Sequence, residues 1–170
     1  MKKNSIKKTV AATVLATSLF ASANVTFASS STQQVVDQAR IDMKNAAYAY
    51  VVPAQKGKVA TSQELYPALN KAKASYNKAK AQVSKSNDKN KAKILKELDA
   101  MYEEKVNGGI VPYIDAYNYA DKYLNPIMED IAEAEASRNV IQIEKSYHEL
   151  SAQLKTRTSI MYRFSGKAAR

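Results

Sequence analysis

Two segments in the second half of the chain hold the residues best suited to chemistry. Tyr113 to Ala120 reads YIDAYNYA, an aromatic cluster, and Lys155 to Arg170 reads KTRTSIMYRFSGKAAR, a basic one. Tyrosine rings offer flat apolar faces with a polar tip, while arginine and lysine offer fixed positive charge with directional donors. Together they are the chemistries needed to hold a carbohydrate polymer that bears acidic groups. Tyr113 and Tyr117 stand one helical turn apart, as do Tyr119 and Tyr123. Rings at Tyr113, Tyr117 and Tyr119 span more of a helix circumference than one buried stripe, so at least one is expected at the surface. Arg163, Lys167 and Arg170 recur at four and three residues, which places them on one side of a helix that continues through Gly166. Four of the five arginines lie at or after Arg138, and the arginine fork suits carboxylate and phosphate oxygens. The C-terminal half is therefore the expected binding face. The competing reading is structural, with tyrosines as boundary residues of a bundle and a basic helix end that complements its own dipole.

Catalytic chemistry has few candidates. His148 is the single histidine, near Glu144 and Glu149, and reads as an exposed polar residue because a metal site would need further ligands. Glu103-Glu104 and Glu129-Asp130 are adjacent pairs, which on a helix do not face each other and so do not form the opposed carboxylates of a glycosidase. There is no cysteine, hence no disulfide, thiol nucleophile or sulfur-based metal site. No glycine-rich phosphate loop occurs. The expectation is a protein that is not an enzyme, with no catalytic residues, no metal and no cofactor.

The elements that position these residues begin after a leader. Residues 1–28 have the three parts of a secretory signal: Lys2, Lys3, Lys7 and Lys8, an apolar run from Thr9 to Phe20, and small residues before Ala28 or, as the alternative cleavage point, Ala23. The apolar run is shorter than the roughly 20 residues that span a bilayer, so the mature chain is expected outside the cell, without a membrane span. Loss of those four lysines takes the formal charge from +10 to +6, a balance that favours anionic partners. Residues 29–170 are enough for one domain with a real core.

The four glycines and four prolines fall between long stretches rich in Ala, Lys, Glu, Leu and Gln, the composition of a helical bundle. A first helix runs from Ser31 or Thr32 through Val36, Ala39, Met43 and Tyr50 and stops at Pro53. Thr61 and Glu64 have capping-box spacing before a second, with Leu65, Leu69, Ala72, Tyr76, Ala79 and Val83 on one face. Asp88 opens a third, which Asn107-Gly108-Gly109 is expected to cap. Pro112 begins a fourth, carrying the tyrosines, with a kink or break at Pro126. The last begins near Asn139 and carries Val140, Ile143, Tyr147, Leu150 and Leu154. Ser84 to Lys93 reads as an exposed turn. The fold class is all-α: an elongated, coiled-coil-like helical bundle of three or more long helices, one with a proline break.

At the two chemical segments the chain resembles the N-terminal cell-wall-binding region of SbsC-type S-layer proteins of thermophilic bacilli, which lack S-layer homology repeats. YIDAYNYA is nearly identical to that family's motif. Lys155-Thr156-Arg157-Thr158, Ile160, Arg163, Gly166-Lys167 and Arg170 follow its spacing, and weaker similarity covers Leu69 to Lys73, Tyr76, Gln38-Ala39, Tyr48 and Tyr50. The resemblance implies triple-helical bundles and non-covalent attachment to secondary cell-wall polymer, the acidic glycan linked to peptidoglycan. It implies Tyr113, Tyr117, Tyr119, Lys155, Arg157, Arg163, Lys167 and Arg170 as glycan contacts. The expected partners are that polysaccharide and a full-length S-layer protein, without nucleic acid. In the family this region precedes a long lattice-forming chain, so a sequence ending at Arg170 is expected to act as a free-standing wall-binding module. A secreted helical module for protein–protein interaction or self-assembly is the alternative, and nonspecific binding of anionic lipid or nucleic acid a third reading.

Overall fold

In a computed structural model the chain is described over residues 30–165. The expected leader, and Gly166, Lys167 and Arg170, lie outside the described residues. Within them every element is helical, as the composition implies. Helix α1 (Ser30–Gln55) carries Pro53 inside it and runs past the expected stop. Its end is Gly57, with φ +68°, a left-handed position that suits a residue without Cβ. Lys56 and Lys58 donate their N–H groups to Pro53 O at 2.9 and 3.0 Å, taking up a terminal acceptor.

Helix α2 (Ser62–Lys85) starts on the expected capping box. The Thr61 hydroxyl accepts from the Glu64 N–H, and the Glu64 carboxylate accepts from the Thr61 N–H at 2.8 Å. Asp88 shapes the next turn by accepting from the Asn90 N–H at 2.8 Å. Helix α3 (Lys91–Tyr102) then begins, with Asn90 rather than Asp88 at its N-cap.

The Asn107-Gly108-Gly109 cap is a correction. The helix does not end there: it widens into a π segment (Glu103–Ile110), continues as α4 (Val111–Tyr119), widens again (Ala120–Leu124) and goes on as α5 (Asn125–Ala136). Val111 N–H donates to Val106 O and Asn125 N–H to Ala120 O, each five residues back. Each widening ends two residues before a proline, Pro112 or Pro126. A proline lacks the N–H its helix needs and presses on the carbonyl four residues earlier, and a π turn relieves both demands without breaking the rod. The expected break at Pro126 therefore takes the form of a wide turn. Gly109 is retained for space: a Cβ there would lie 3.0 Å from the buried Tyr50 hydroxyl.

The core sits between α1, α2 and the first half of this rod. Val36, Met43 and Tyr50 of α1 meet Leu65, Leu69 and Val83 of α2, Leu98 of α3, Val106 and Ile110 of the π segment, and Tyr113 and Ile114 of α4. Asp42, buried on α1, receives Lys71 of α2 at 3.2 Å and the Gln38 amide at 2.9 Å. Pairing of a buried carboxylate is obligatory, so this contact fixes how α1 and α2 align.

Beyond Leu124 the partner changes. Helix α5 packs antiparallel on α6 (Val140–Thr156). Asn139 N–H donates to Ala134 O at 2.9 Å across a turn in which Arg138 has φ +54°, a Schellman-type stop with arginine where glycine is usual. The Asn139 side chain then caps α6 at the Gln142 N–H. α6 ends where Thr156 and Thr158 return their hydroxyls to Ala152 O and Leu154 O at 2.8 and 2.6 Å, competing with helix continuation. A short α7 (Thr158–Met161) and a 3-10 turn (Tyr162–Ser165) fold back on α4. The continuous basic helix expected through Arg163 is thus interrupted at Arg157.

Candidate functional site

The expected contacts divide into two groups. Tyr113 is the second correction. It is 3% exposed, its ring lies 4.9 Å from that of Tyr50, and its hydroxyl accepts from the Ala60 N–H at 3.1 Å. Burial pushes its phenol above the usual value. It ties the α1–α2 loop to α4 and presents no face to a polymer. The helical period explains this: Tyr113, Ile114 and Ala116 are the residues α4 turns to the core.

Of the others, Tyr117, Tyr119, Lys155, Arg157 and Arg163 are at least partly exposed, and Tyr119 and Arg163 link α4 to the end of α6 and to the fold-back segment. Tyr119 is half-buried, with its hydroxyl 2.5 Å from Gln153 Oε1 of α6. Its ring centroid lies 5.0 Å from that of exposed Tyr123, tilted by 40°. Lys122 Nζ stands 5.1 Å from the Tyr123 centroid. Arg163, exposed on the 3-10 turn, reaches Asp115 of α4 at 3.6 Å. An ion pair this long and open contributes little to stability and is easily exchanged for another anion. Lys155 and Arg157 lie exposed in the turn following Gln153, with Arg157 at the corner between the two back-bonded threonines. Tyr117 is half-buried. Lys167 and Arg170 lie outside the described residues.

Four participants were not among the expected contacts: Asp115, Lys122, Tyr123 and Gln153. The four-residue spacing of Tyr119 and Tyr123 is readable in the sequence. Gln153 and Asp115 carry no signal without the fold-back that brings α6 and the 3-10 turn onto α4. His148 is exposed, 3.7 Å from Glu144, and among the described residues no group of histidine and carboxylate side chains is placed to hold a metal. No helix among the described residues is long and apolar enough to cross a membrane.

The described residues form an all-helical rod with aromatic and basic side chains at its surface, and comparison with known proteins gives its family. The family model described as the SbsC C-terminal domain matches residues 51–170. An S-layer protein of Geobacillus stearothermophilus is 32% identical over 181 residues, covering 100% of this chain and 15% of that protein. The crystal structure of the S-layer protein rSbsC(31–844) is 35% identical with a TM-score of 0.66, over 81% of this chain and 21% of that one. The crystal structure of the N-terminal part of the S-layer protein SbsC is 36% identical with a TM-score of 0.65, over 81% of this chain and 35% of that one. The chain belongs to the SbsC family of S-layer proteins, non-catalytic structural proteins of the cell surface. It corresponds to their N-terminal region and spans about a seventh of the length of the Geobacillus relative.

Proposed function

We propose that the chain is a secreted module that anchors to the cell wall by binding its acidic secondary polysaccharide at the junction of α4, α6 and the fold-back segment, after removal of residues 1–28. What supports this reading is that Arg163 pairs with Asp115 one turn from Tyr119 on α4, and that the Tyr119 hydroxyl meets Gln153, near the exposed Lys155 and Arg157 in sequence. Sugar rings stack on the free faces of Tyr119 and Tyr123. Acid groups of the polymer displace Asp115 from Arg163 and pair with Arg157 and Lys155. Tyr117 is included as a further contact, and Lys167 and Arg170, outside the described residues, are included from the sequence alone. The likeness to the N-terminal part of an S-layer protein supports a role at the wall, with a full-length S-layer protein as a neighbour.

Cosedimentation with walls of the source cell tests this, before and after acid extraction of the secondary polymer. Binding should disappear with the polymer. It should fall at 1 M salt, where the screening length is about 3 Å, yet persist in part through stacking. Arg157→Ala and Arg163→Ala should each weaken it roughly two- to fivefold with circular dichroism unchanged. Equal binding to stripped and intact walls would overturn the reading.

A further inference from the structure

We infer that the bundle carries a second anion-binding surface, separate from the proposed polysaccharide site: a row of lysines along α2 and the α2–α3 turn that takes a linear phosphodiester polymer. The argument begins with where the charge lies. From Lys71 to Lys96 there are nine lysines, no arginine and one acid, Asp88, a net of +8. Residues 29–170 carry +6, so everything else in them sums to −2. Their net positive charge is thus confined to this one segment. Its acid is turned to its own loop: Asp88 is buried and accepts from the Asn90 N–H. Lys71 is held by Asp42 and Lys80 by Asp99. Lys78, Lys85, Lys89, Lys91 and Lys93 are exposed and make no ion pair among the described residues.

Helix geometry lines these charges up. Lys71, Lys78 and Lys85 recur at seven residues, which on α2 returns to within about 20° of the same face every 10.5 Å or so. Lys89, Lys91 and Lys93 follow in the turn and the start of α3. Helix stability does not explain them. The first turn of α3 contains lysines and no acid, and Asn90 makes no side-chain cap, although positive charge at a helix N-terminus is unfavourable.

Chemistry selects the occupant. Lysine is a compact point charge on a flexible stem, suited to the spread charge of a phosphodiester and to a chain that shifts along the row. A lipid surface would want apolar side chains to insert, and the exposed large apolar residues leave a gap between Tyr66 and Tyr123. Single-stranded nucleic acid would want rings to stack on. The segment's one aromatic, Tyr76, is already stacked on Tyr102 at 4.0 Å with its hydroxyl on Asp99. The row also stands apart from the first site. α2 meets α4 where Asn118 donates to Tyr66, and Lys85 lies nineteen residues further on. That is about 28 Å along the helix, well beyond the screening length of about 8 Å at physiological salt.

Isothermal titration of the chain from Ser29 onward, which contains every described residue, with poly(glycerol phosphate) tests this. Binding at about 50 mM salt should weaken at least tenfold at about 200 mM. Changing Lys85, Lys89 and Lys91 together to Gln should weaken it about tenfold with circular dichroism unchanged. The same three changed to Arg should keep it, and Arg163→Ala should leave it as it was. Absence of binding at the lower salt would overturn the proposal, as would binding that survives the three Gln changes. Weakening by Arg163→Ala as large as by the lysine changes would overturn it too, and assign the polymer to the first site. Tighter binding to phosphatidylglycerol vesicles or to single-stranded DNA of equal phosphate content would overturn the choice of partner.

Discussion

The two halves of the rod are built on opposite principles. In the first, three helical stretches close around one another, and large side chains such as Tyr50, Met43, Leu65, Leu98 and Ile110 are fully buried. In the second, α5 and α6 form a two-helix hairpin in which Ile127, Ile131 and Ala134 of α5 are buried and α6 contributes Ser146. A three-helix bundle has an inside; a hairpin has one shared edge. Stability therefore belongs to the first half, whereas the exposed tyrosine and the basic corner lie where the second begins. Regions with few buried apolar contacts open locally at lower cost, and binding surfaces are drawn from them.

Cavities placed in each half give the largest expected effect. Leu98→Ala should cost roughly 2–5 kcal/mol of global stability, the range for emptying a packed leucine site, and should shift the whole urea transition. Ile131→Ala removes a comparable volume from the hairpin. Its effect should appear as faster amide hydrogen exchange in α5 and α6, with α1–α3 protected as before. If Ile131→Ala moved the protection of α1 as far as Leu98→Ala does, the halves would be one cooperative unit and the contrast would fail.

A finer contrast lies inside the bundle, between the neighbouring tyrosines Tyr50 and Tyr113, whose rings are tilted by 30°. The Tyr113 hydroxyl satisfies the buried Ala60 N–H, whereas the Tyr50 hydroxyl is buried with no hydrogen-bond partner among the described residues. Tyr113→Phe strands a donor and should destabilise by about 1–3 kcal/mol, whereas Tyr50→Phe removes an unsatisfied group and should be neutral or stabilising. Thermal melts of the two variants read the difference. Tyr113→Phe should leave wall binding unchanged, in contrast to Arg163→Ala.

Legibility followed the same division. The Thr61–Glu64 box, the Asn139 start and the apolar stripes of α1 and α2 were readable because each is set by residues within a few positions of one another. Asn107-Gly108-Gly109 read as a cap because the reason for Gly109 is Tyr50, more than fifty residues earlier in sequence. The prolines read as breaks because local chemistry opposes continuation, while the core contacts of Val106, Ile110 and Ile114 on either side of Pro112 keep the helix going. At the site, residue types were legible and orientation was not: spacing alone does not say which of Tyr113, Tyr117 and Tyr119 turns inward, since the π turns shift the helical phase. The salt-exchangeable Asp115–Arg163 pair depends on a reversal after Thr156 that no periodicity announces.

The smallest expected effect concerns how the bundle is closed at α2. The Thr61 N–H, and then the Thr61 hydroxyl, hold the Glu64 carboxyl below its usual value of 4.5. A carboxyl whose folded value is depressed contributes its stabilisation above the unfolded value, and that contribution is lost as pH falls through the folded one. The cap should therefore be intact above about pH 5 and weaken progressively below about pH 4. Amide exchange at Glu64 and Leu65 should quicken over that window in the native chain, and the step should be absent in Glu64→Gln, which keeps an acceptor but does not titrate. Exposure of the pair makes the effect local, so the exchange of Leu98 in the bundle should not follow it. If Leu98 titrated in step with Glu64, the end of α2 would be governing the core, and the separation between a closed bundle and its adjustable edges would have to be redrawn.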